Sequence, residues 1–446
     1  MTQFAPNRRE YTKKQCLSAK QKEKRMKKKV LALVLCLALV TALVIGLVAC
    51  NDEDEDYDLT VGLICLHDKD STYDKNFIVA MEEVEKKLNI KVLYKYNVPE
   101  EDVCLTEAND LVSQGCDIIF ADSFGHEDFI MEAARQNPGV QFCHATGTQA
   151  HTAGIDNYHN AFASIYEGRY LAGIAAGMKL AELYGGGDGT EVSAENAKVG
   201  YVGAFPYAEV VSGYTAWFLG VRSIVPAATM EVQYTFEWLN EDKERGTADT
   251  LMDMGCKLIS QHADSMGAPT ACEARGIPNV SYNGSTVSEC PNTYIISSRI
   301  NWAPYYEYAI QAVIDANKAN AEAKKADANA QTVKPDIKKD WVGSLSTNSV
   351  LLTAINTKVA AAGTQEAIDR VKAELIAGTR QVFDLSTFTV NGETLKSYLA
   401  DVDDDRTYTK ETEVVANGVF EESKYRSAPY FDVRIDGIHE INPTKD

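Results

Sequence analysis

The chain has 446 residues, 44 Lys+Arg against 64 Asp+Glu, and a formal net charge of −20. The first 49 residues carry 11 Lys+Arg and 2 Asp+Glu, so 33 and 62 remain beyond them, a balance of −29. That balance excludes the basic footprint that nucleic-acid binding needs, and the 397 residues beyond position 49 suit two or three domains with large cores.

Residues 26–50 open with Met26 and Lys27-Lys28-Lys29, run apolar from Val30 to Val48, and end Leu47-Val48-Ala49-Cys50. A basic start, an apolar run that can cross as a helix and a small residue before cysteine are the features of an export signal. The stretch resembles the lipobox of bacterial lipoproteins. The resemblance implies cleavage before Cys50, lipid on Cys50 and a membrane-anchored chain facing outward. The competing reading is an uncleaved transmembrane anchor, because Val30 to Ala49 is long enough to span. Residues 1–25 read as an upstream extension, 26–49 as the signal and 50–58 as an acidic linker.

Strand and helix patterns then alternate. Leu59–Leu66 reads as a strand, about Asn76–Leu88 as a helix, Lys91–Tyr96 as a strand and about Leu105–Gln114 as a helix. Asp117–Phe120 is the next strand, Phe129–Gln136 the next helix and Val140–His144 the next strand. Short apolar strands alternating with helices indicate βαβ units and a parallel sheet. A helix is expected over Ala161–Lys179, whose Gly168, Gly173 and Gly177 permit close helix packing. Lys198–Ala204, Val232–Glu237, Ile277–Tyr282 and Thr293–Ser298 are expected strands of a second lobe, with a helix over Glu209–Val221. The run Leu111 to Ser123 repeats in Leu251 to Ser265: helix end, Gly, Cys, a short apolar strand, then Asp-Ser. Glycine there supplies a left-handed helix stop, so two similar lobes are expected. The division is 59–160 for lobe one, 161–290 for lobe two, 291–335 for a return to lobe one, and 336–446 for a final crossover, C-terminal helix and tail. Residues 317–331 read as a solvated helix or linker, with strands near Phe388 and Phe431. Cys65, Cys116 and Cys143 sit in or beside strands as small hydrophobes; mostly free thiols are expected, with Cys272–Cys290 as the one candidate pair.

In open parallel sheets, ligands sit beyond the carboxyl ends of the strands. That rule selects loops carrying Tyr73, Asn76, Phe124, Phe205, Asp264, Asn283 and Trp302. Aromatic faces stack on flat rings, and carboxylates or amides fix ring nitrogens and hydroxyls. Phe124 and Trp302 are expected as stacking walls, and Asp264, Asn283 and Asn76 as polar readers. Phe77 and Trp217 stand open between core and ligand. No nucleophile–base motif and no zinc spacing occurs in the sequence, so neither catalysis, a metal nor a cofactor is expected.

Six runs carry a further likeness: Ser71–Phe77, Ala121–Gly125, Tyr166–Gly177, Val199–Pro206, Gln261–Ser265 and Asn301–Tyr306. Together they resemble the substrate-binding lipoproteins of the basic membrane protein family, which includes purine-nucleoside receptors of ABC importers. The resemblance implies an α/β, type I periplasmic-binding-protein fold: two Rossmann-like lobes with parallel sheets, joined by a hinge of three crossovers. It also implies a purine in the cleft and an ABC permease as membrane partner. Departures lie at Asn76, at Asn283 where the family often has Asp, and at Asn301 where some members carry a ribose-contacting lysine. Nucleoside and free nucleobase therefore both stay open. Rival readings are a ligand-sensing lipoprotein feeding a signalling receptor, and an importer component for a sugar-like solute.

Overall fold

A computed structural model describes residues 57–403 and 409–444. The export segment, Cys50 and most of the acidic linker lie outside the described residues. In lobe one, β1 (Leu59–Ile64), α1 (Thr72–Lys87), β2 (Ile90–Lys95), α2 (Val103–Ser113), β3 (Ile118–Ala121), α3 (Glu127–Gln136), β4 (Gln141–Ala145) and β5 (Tyr158–Ala163) follow in turn. With β11 (Asp340–Gly343) these strands make one parallel sheet in the order β11-β5-β4-β3-β1-β2. Helices cover both faces, so the strands are nearly continuous buried runs.

Lobe two takes α4 (Ile165–Tyr184), β6 (Lys198–Gly203), α5 (Ala208–Arg222), β7 (Thr229–Tyr234), α6 (Glu241–Asp253), β8 (Ile259–His262), α7 (Gly267–Arg275), β9 (Asn279–Tyr282) and β10 (Tyr294–Ile300). Its sheet also holds β12 (Val350–Leu352) and β17 (Ile438–Glu440), in the order β12-β10-β9-β8-β6-β7-β17. Only β12 runs antiparallel to its neighbour in this sheet. The first five strands of each lobe follow the same order, second-first-third-fourth-fifth. The repeated sequence run forms the third strand of each lobe. Gly115 and Gly255 stop the preceding helices with φ of +91° and +88°.

The chain passes between lobes after β5, after β10 and after β11. Backbone bonds brace these crossings, from Ser164 N to Gly343 O and from Asn301 N to Ser349 O, both 2.8 Å. The glycines of α4 are used as the sequence suggests. A Cβ on Gly173 would lie 2.0 Å from Trp217 O, and one on Gly220 of α5 would lie 2.2 Å from Tyr170 O. The two helix backbones touch there, and no side chain fits between them.

Four expectations change. Tyr158–Ala163 is a strand, and the helix expected from Ala161 begins at Ile165. Buried polar residues masked that strand: His159 bonds Lys338 O and Gln141, and Asn160 bonds Glu127. β10 pairs in the second sheet, as the strand reading of Thr293–Ser298 has it, so the boundary drawn at 291 moves and the return to lobe one begins after Ile300. That return is α8 (Ala303–Ala326), a helix that packs on α1 and takes in two thirds of the 317–331 stretch. Phe388 and Phe431 lie in no strand; both are buried, with Phe431 stacked on Phe383 at 4.2 Å. All seven described cysteines are free and buried, Cys272 and Cys290 included.

After α9 (Thr364–Ile376) the tail lies on lobe two. Two small sheets pair β13 (Leu399–Ala400) with β14 (Thr412–Glu413), and β15 (Val415–Ala416) with β16 (Val419–Phe420). The tail also reaches lobe one, where Ser427 N and Oγ each donate to Asp340 Oδ1 at 2.8 Å. His151 Nδ1 lies 3.0 Å from the other oxygen of Asp340. Asp340 holds the His151 imidazole above its ordinary value, against the opposing effect of burial. The folded pKa thus exceeds the unfolded value of about 6.5. The pair's contribution is complete below that value and is lost as pH rises through the folded one. The melting-temperature gap between wild type and His151→Gln is therefore expected to be wider at about pH 5.5 than at about pH 9. A gap that does not change with pH would mean the imidazole charge contributes nothing.

Candidate functional site

The carboxyl ends of the two sheets face each other, and between them lies a small inner chamber. Lobe one supplies Tyr73, Phe124 and Thr146; lobe two supplies Glu209, Trp238, His262 and Asp264. Its free volume is about 20 Å³, room for about one water. The lobes are drawn together. Thr72 N and Oγ1 donate to Asp264 O at 3.0 and 3.1 Å. Asn76 Nδ2 donates to Asn283 Oδ1 at 3.3 Å, and Asn283 Nδ2 to Asp264 Oδ1 at 3.4 Å. Each of these links except the last crosses from lobe to lobe.

Local sequence explains the placements. Ser71 caps α1, accepting from Asp74 N, and so aims the first turn of that helix at the cleft. Tyr73 on that turn donates its hydroxyl to Asp122 O at 2.8 Å. Asn283 has φ of +65°, a left-handed conformation that asparagine tolerates. Phe124 follows β3 and is 40% exposed, its ring 5.5 Å from that of Tyr207 on the opposite lobe. Both rings line an outer chamber of about 330 Å³. Phe124, Thr146 and Glu209 line both chambers.

Burial dominates the electrostatics. Burial, with Asp74, Glu244 and Glu209 nearby, holds the Asp264 carboxyl well above the carboxylate range. In its neutral form that group both donates and accepts a hydrogen bond. Burial pushes His262 down although its Nε2 lies 3.4 Å from Glu209, so the imidazole is a neutral partner. Behind it Arg169 is fully buried, donates to Gln261 O at 2.9 Å and stacks over Tyr282 at 4.1 Å. Burial lowers it to about 10, so it remains a cation there.

Cys65, Asp74 and Asp122 approach closely enough to offer three metal-ligand atoms. Burial and the charge of Asp74 raise Asp122 strongly. Burial opposes ionisation of Asp74 too, but bonds from His67 and Ser71 outweigh it and lower that group. Burial also holds the Cys65 thiol well above its ordinary value. Burial and like charge thus oppose full ionisation of this cluster, and Asp74 is the member held ionised most strongly.

The sequence-selected residues divide. Tyr73, Phe124 and Asp264 line the inner chamber, and Asn76 and Asn283 tie it shut. Phe205 lines neither chamber; it stacks behind Tyr207 at 5.0 Å and against Trp238 at 4.9 Å. Trp302 is corrected outright. It is 1% exposed and stacks on Phe77 at 4.3 Å inside lobe one, because α8 starts there and turns the ring into the core. Phe77 and Trp217 are likewise core residues. Glu209, Trp238, His262, Thr146 and Tyr207 are chamber walls outside that selection. Trp238 follows β7 closely, so the strand-end rule extends to it as well.

The model of the family described as "ABC transporter substrate-binding protein PnrA-like" matches residues 66–374. A purine-binding protein of Brucella abortus is 30% identical over 238 residues, covering 53% of this chain and 63% of that protein. A putative ABC transporter glucose-binding protein of Haloferax volcanii is 34% identical over 197 residues, covering 44% of this chain and 46% of that protein. The chain thus spans less than two thirds of the length of either relative. Among solved structures, an ABC transporter solute-binding protein from Conexibacter woesei superposes with a TM-score of 0.56 at 17% identity, covering 72% of this chain and 98% of that one. One from Aeropyrum pernix gives 0.57 at 14% identity, covering 72% and 92%. These two likenesses speak to fold. With its six runs inside or overlapping a family match of this extent, the chain belongs to the PnrA-like family of ABC transporter substrate-binding proteins and has the type I periplasmic-binding-protein fold.

Proposed function

We propose that this protein captures a purine nucleoside or nucleobase between its lobes and hands it to an ABC permease, held at the outer membrane face by lipid on Cys50. The observation that carries the reading is the composition of the closed cleft. Aromatic walls from both lobes, Tyr73, Phe124 and Trp238, surround a buried carboxyl, Asp264, that burial disfavours as an anion and that links to two carboxamides. Each aromatic face stacked on a base is worth about 1–3 kcal/mol. A protonated carboxyl and an amide together offer donors and acceptors to a base edge, and leaving either unpaired costs about 1–3 kcal/mol. Opening breaks the Thr72–Asp264 and Asn76–Asn283 links, and a bound ring takes over their polar atoms on closure. Such a hinge motion gives the permease a liganded shape to recognise.

A second reading, a sugar-like solute, draws on the Haloferax relative named for glucose and on the carboxylates of the outer chamber. Thermal-shift measurements on the full chain with nucleobases, nucleosides, hexoses and amino acids separate the two. A ligand at 100 times its Kd stabilises by about 2.7 kcal/mol, and purines are expected to do so. Phe124→Ala, at an exposed position that should leave the fold unchanged, is expected to weaken purine binding by about 1–3 kcal/mol. A response to hexoses with none to purines would replace the purine assignment by the second reading.

A further inference from the structure

The family match stops at residue 374, and beyond it lie the described residues 379–403 and 409–444. This segment is fastened to lobe two: β17 extends the sheet beside β7, Ser212 donates to Glu422 at 2.6 Å, and Tyr214 donates to Glu440 at 3.0 Å. It is fastened to lobe one as well, through Ser427 on Asp340 and through Thr152 Oγ1 on Asp403 O at 2.8 Å. Between these moorings it passes over the outer chamber, where Tyr430, Arg426 and Asp432 face Phe124 and Tyr207.

We propose that residues 379–403 and 409–444 form a strap across the cleft mouth, and that Arg426, Tyr430 and Asp432 build with Phe124 and Tyr207 a subsite for the hydroxylated, sugar-like part of the ligand. The proposal rests on the cleft being the ligand site. Three observations lead to it. The two chambers share Phe124, Thr146 and Glu209, so one ligand can extend from the inner chamber into the outer. The charged lining carries both signs, Lys410 and Arg426 against Asp401, Asp432 and Glu209. An anion would meet carboxylates there, and an apolar ring would strip water from polar groups without replacing it. Hydroxyls donate to carboxylates and accept from cations, so a polyol satisfies both kinds of group. Lastly, these groups are already oriented. Arg426 donates to Ala428 O at 3.2 Å and Pro429 O at 3.1 Å, while Lys410 holds Asp432 at 2.5 Å and Tyr398 at 2.7 Å. The open faces of Phe124 and Tyr207, 40% and 43% exposed, lie beside them for the C–H side of a sugar ring.

The test compares inosine, hypoxanthine and D-glucose by calorimetry on the full chain, in wild type, Asp432→Asn, Lys410→Gln and Asp264→Ala. Wild type is expected to bind inosine more tightly than hypoxanthine. Asp432→Asn or Lys410→Gln is expected to raise the inosine Kd about ten-fold, the loss of one charge-assisted bond, and to leave hypoxanthine within about two-fold. If glucose is the probe that binds, the same about ten-fold loss on glucose upholds the subsite. Equal losses for inosine and hypoxanthine would mean the strap acts only by holding the lobes, and would overturn it. Binding lost in Asp264→Ala but intact in both strap variants also overturns the subsite while leaving the cleft assignment standing. Binding intact in all three variants would overturn the cleft assignment itself.

Discussion

Ending the chain after Gly378 is expected to abolish the soluble monomer. The removed segment is not an appendage to a finished core. Phe383, Phe388, Phe420 and Phe431 are each 3% exposed or less and belong to the same continuous core as β6, α4 and α5. Full burial of one such side chain is worth about 1.5–3 kcal/mol, against about 5–15 kcal/mol for the whole stability of a typical domain. Truncation also uncovers Tyr166, whose ring packs on Phe383 at 5.2 Å. It strands the buried Ser212 without Glu422, and Tyr214 and Tyr234 without Glu440. Loss of β17 turns β7 into an open edge, a template for pairing with another chain. Size-exclusion chromatography and thermal melting of the truncated chain check this. A monodisperse protein melting with the wild type would show that lobe two closes without its tail.

Trp302→Ala is expected to destabilise by about 3–5 kcal/mol, the usual range for a large aromatic removed from a packed core. The ring is 1% exposed, stacks on Phe77 at 4.3 Å with planes 22° apart, and meets Phe162 of β5 edge-on at 6.2 Å. These contacts join α1, β5 and the start of α8, so the cavity left behind sits where lobe one meets a crossover. A lower urea midpoint at unchanged slope is the expected signature. Ligand affinity of the remaining folded protein should stay close to wild type. Unchanged stability with binding lost would return Trp302 to the ligand site, contrary to its placement.

Both expectations come from residues whose importance the chain order conceals. Trp302 follows a strand end, where a ligand contact is the natural inference, yet one helix start turns it inward. The tail shows neither clean alternation nor helical period, and its aromatics gather from 383, 388, 420 and 431 only when folded. β5 escaped for a related reason. His159 and Asn160 break its apolar run, and only their partners on Lys338, Gln141 and Glu127 make such a strand tolerable in a core.

What the sequence determined by itself is the lobe plan. Apolar runs with strand and helix spacing, and a helix stop repeated at Gly115 and Gly255, encode two similar parallel sheets. Those signals act over neighbouring residues, within reach of local sterics and burial. The same locality placed Phe124 and Asp264 just beyond strand ends, and Tyr73 at the helix start that follows β1. What only the tertiary structure decided is which rim residues meet: Phe124 with Tyr207, Asn76 with Asn283, and Asp340 with both His151 and Ser427. These pairs lie far apart in the chain and belong to different lobes, loops or the tail. Their contact depends on how the crossovers set one rigid layer against another, and no local periodicity carries that information.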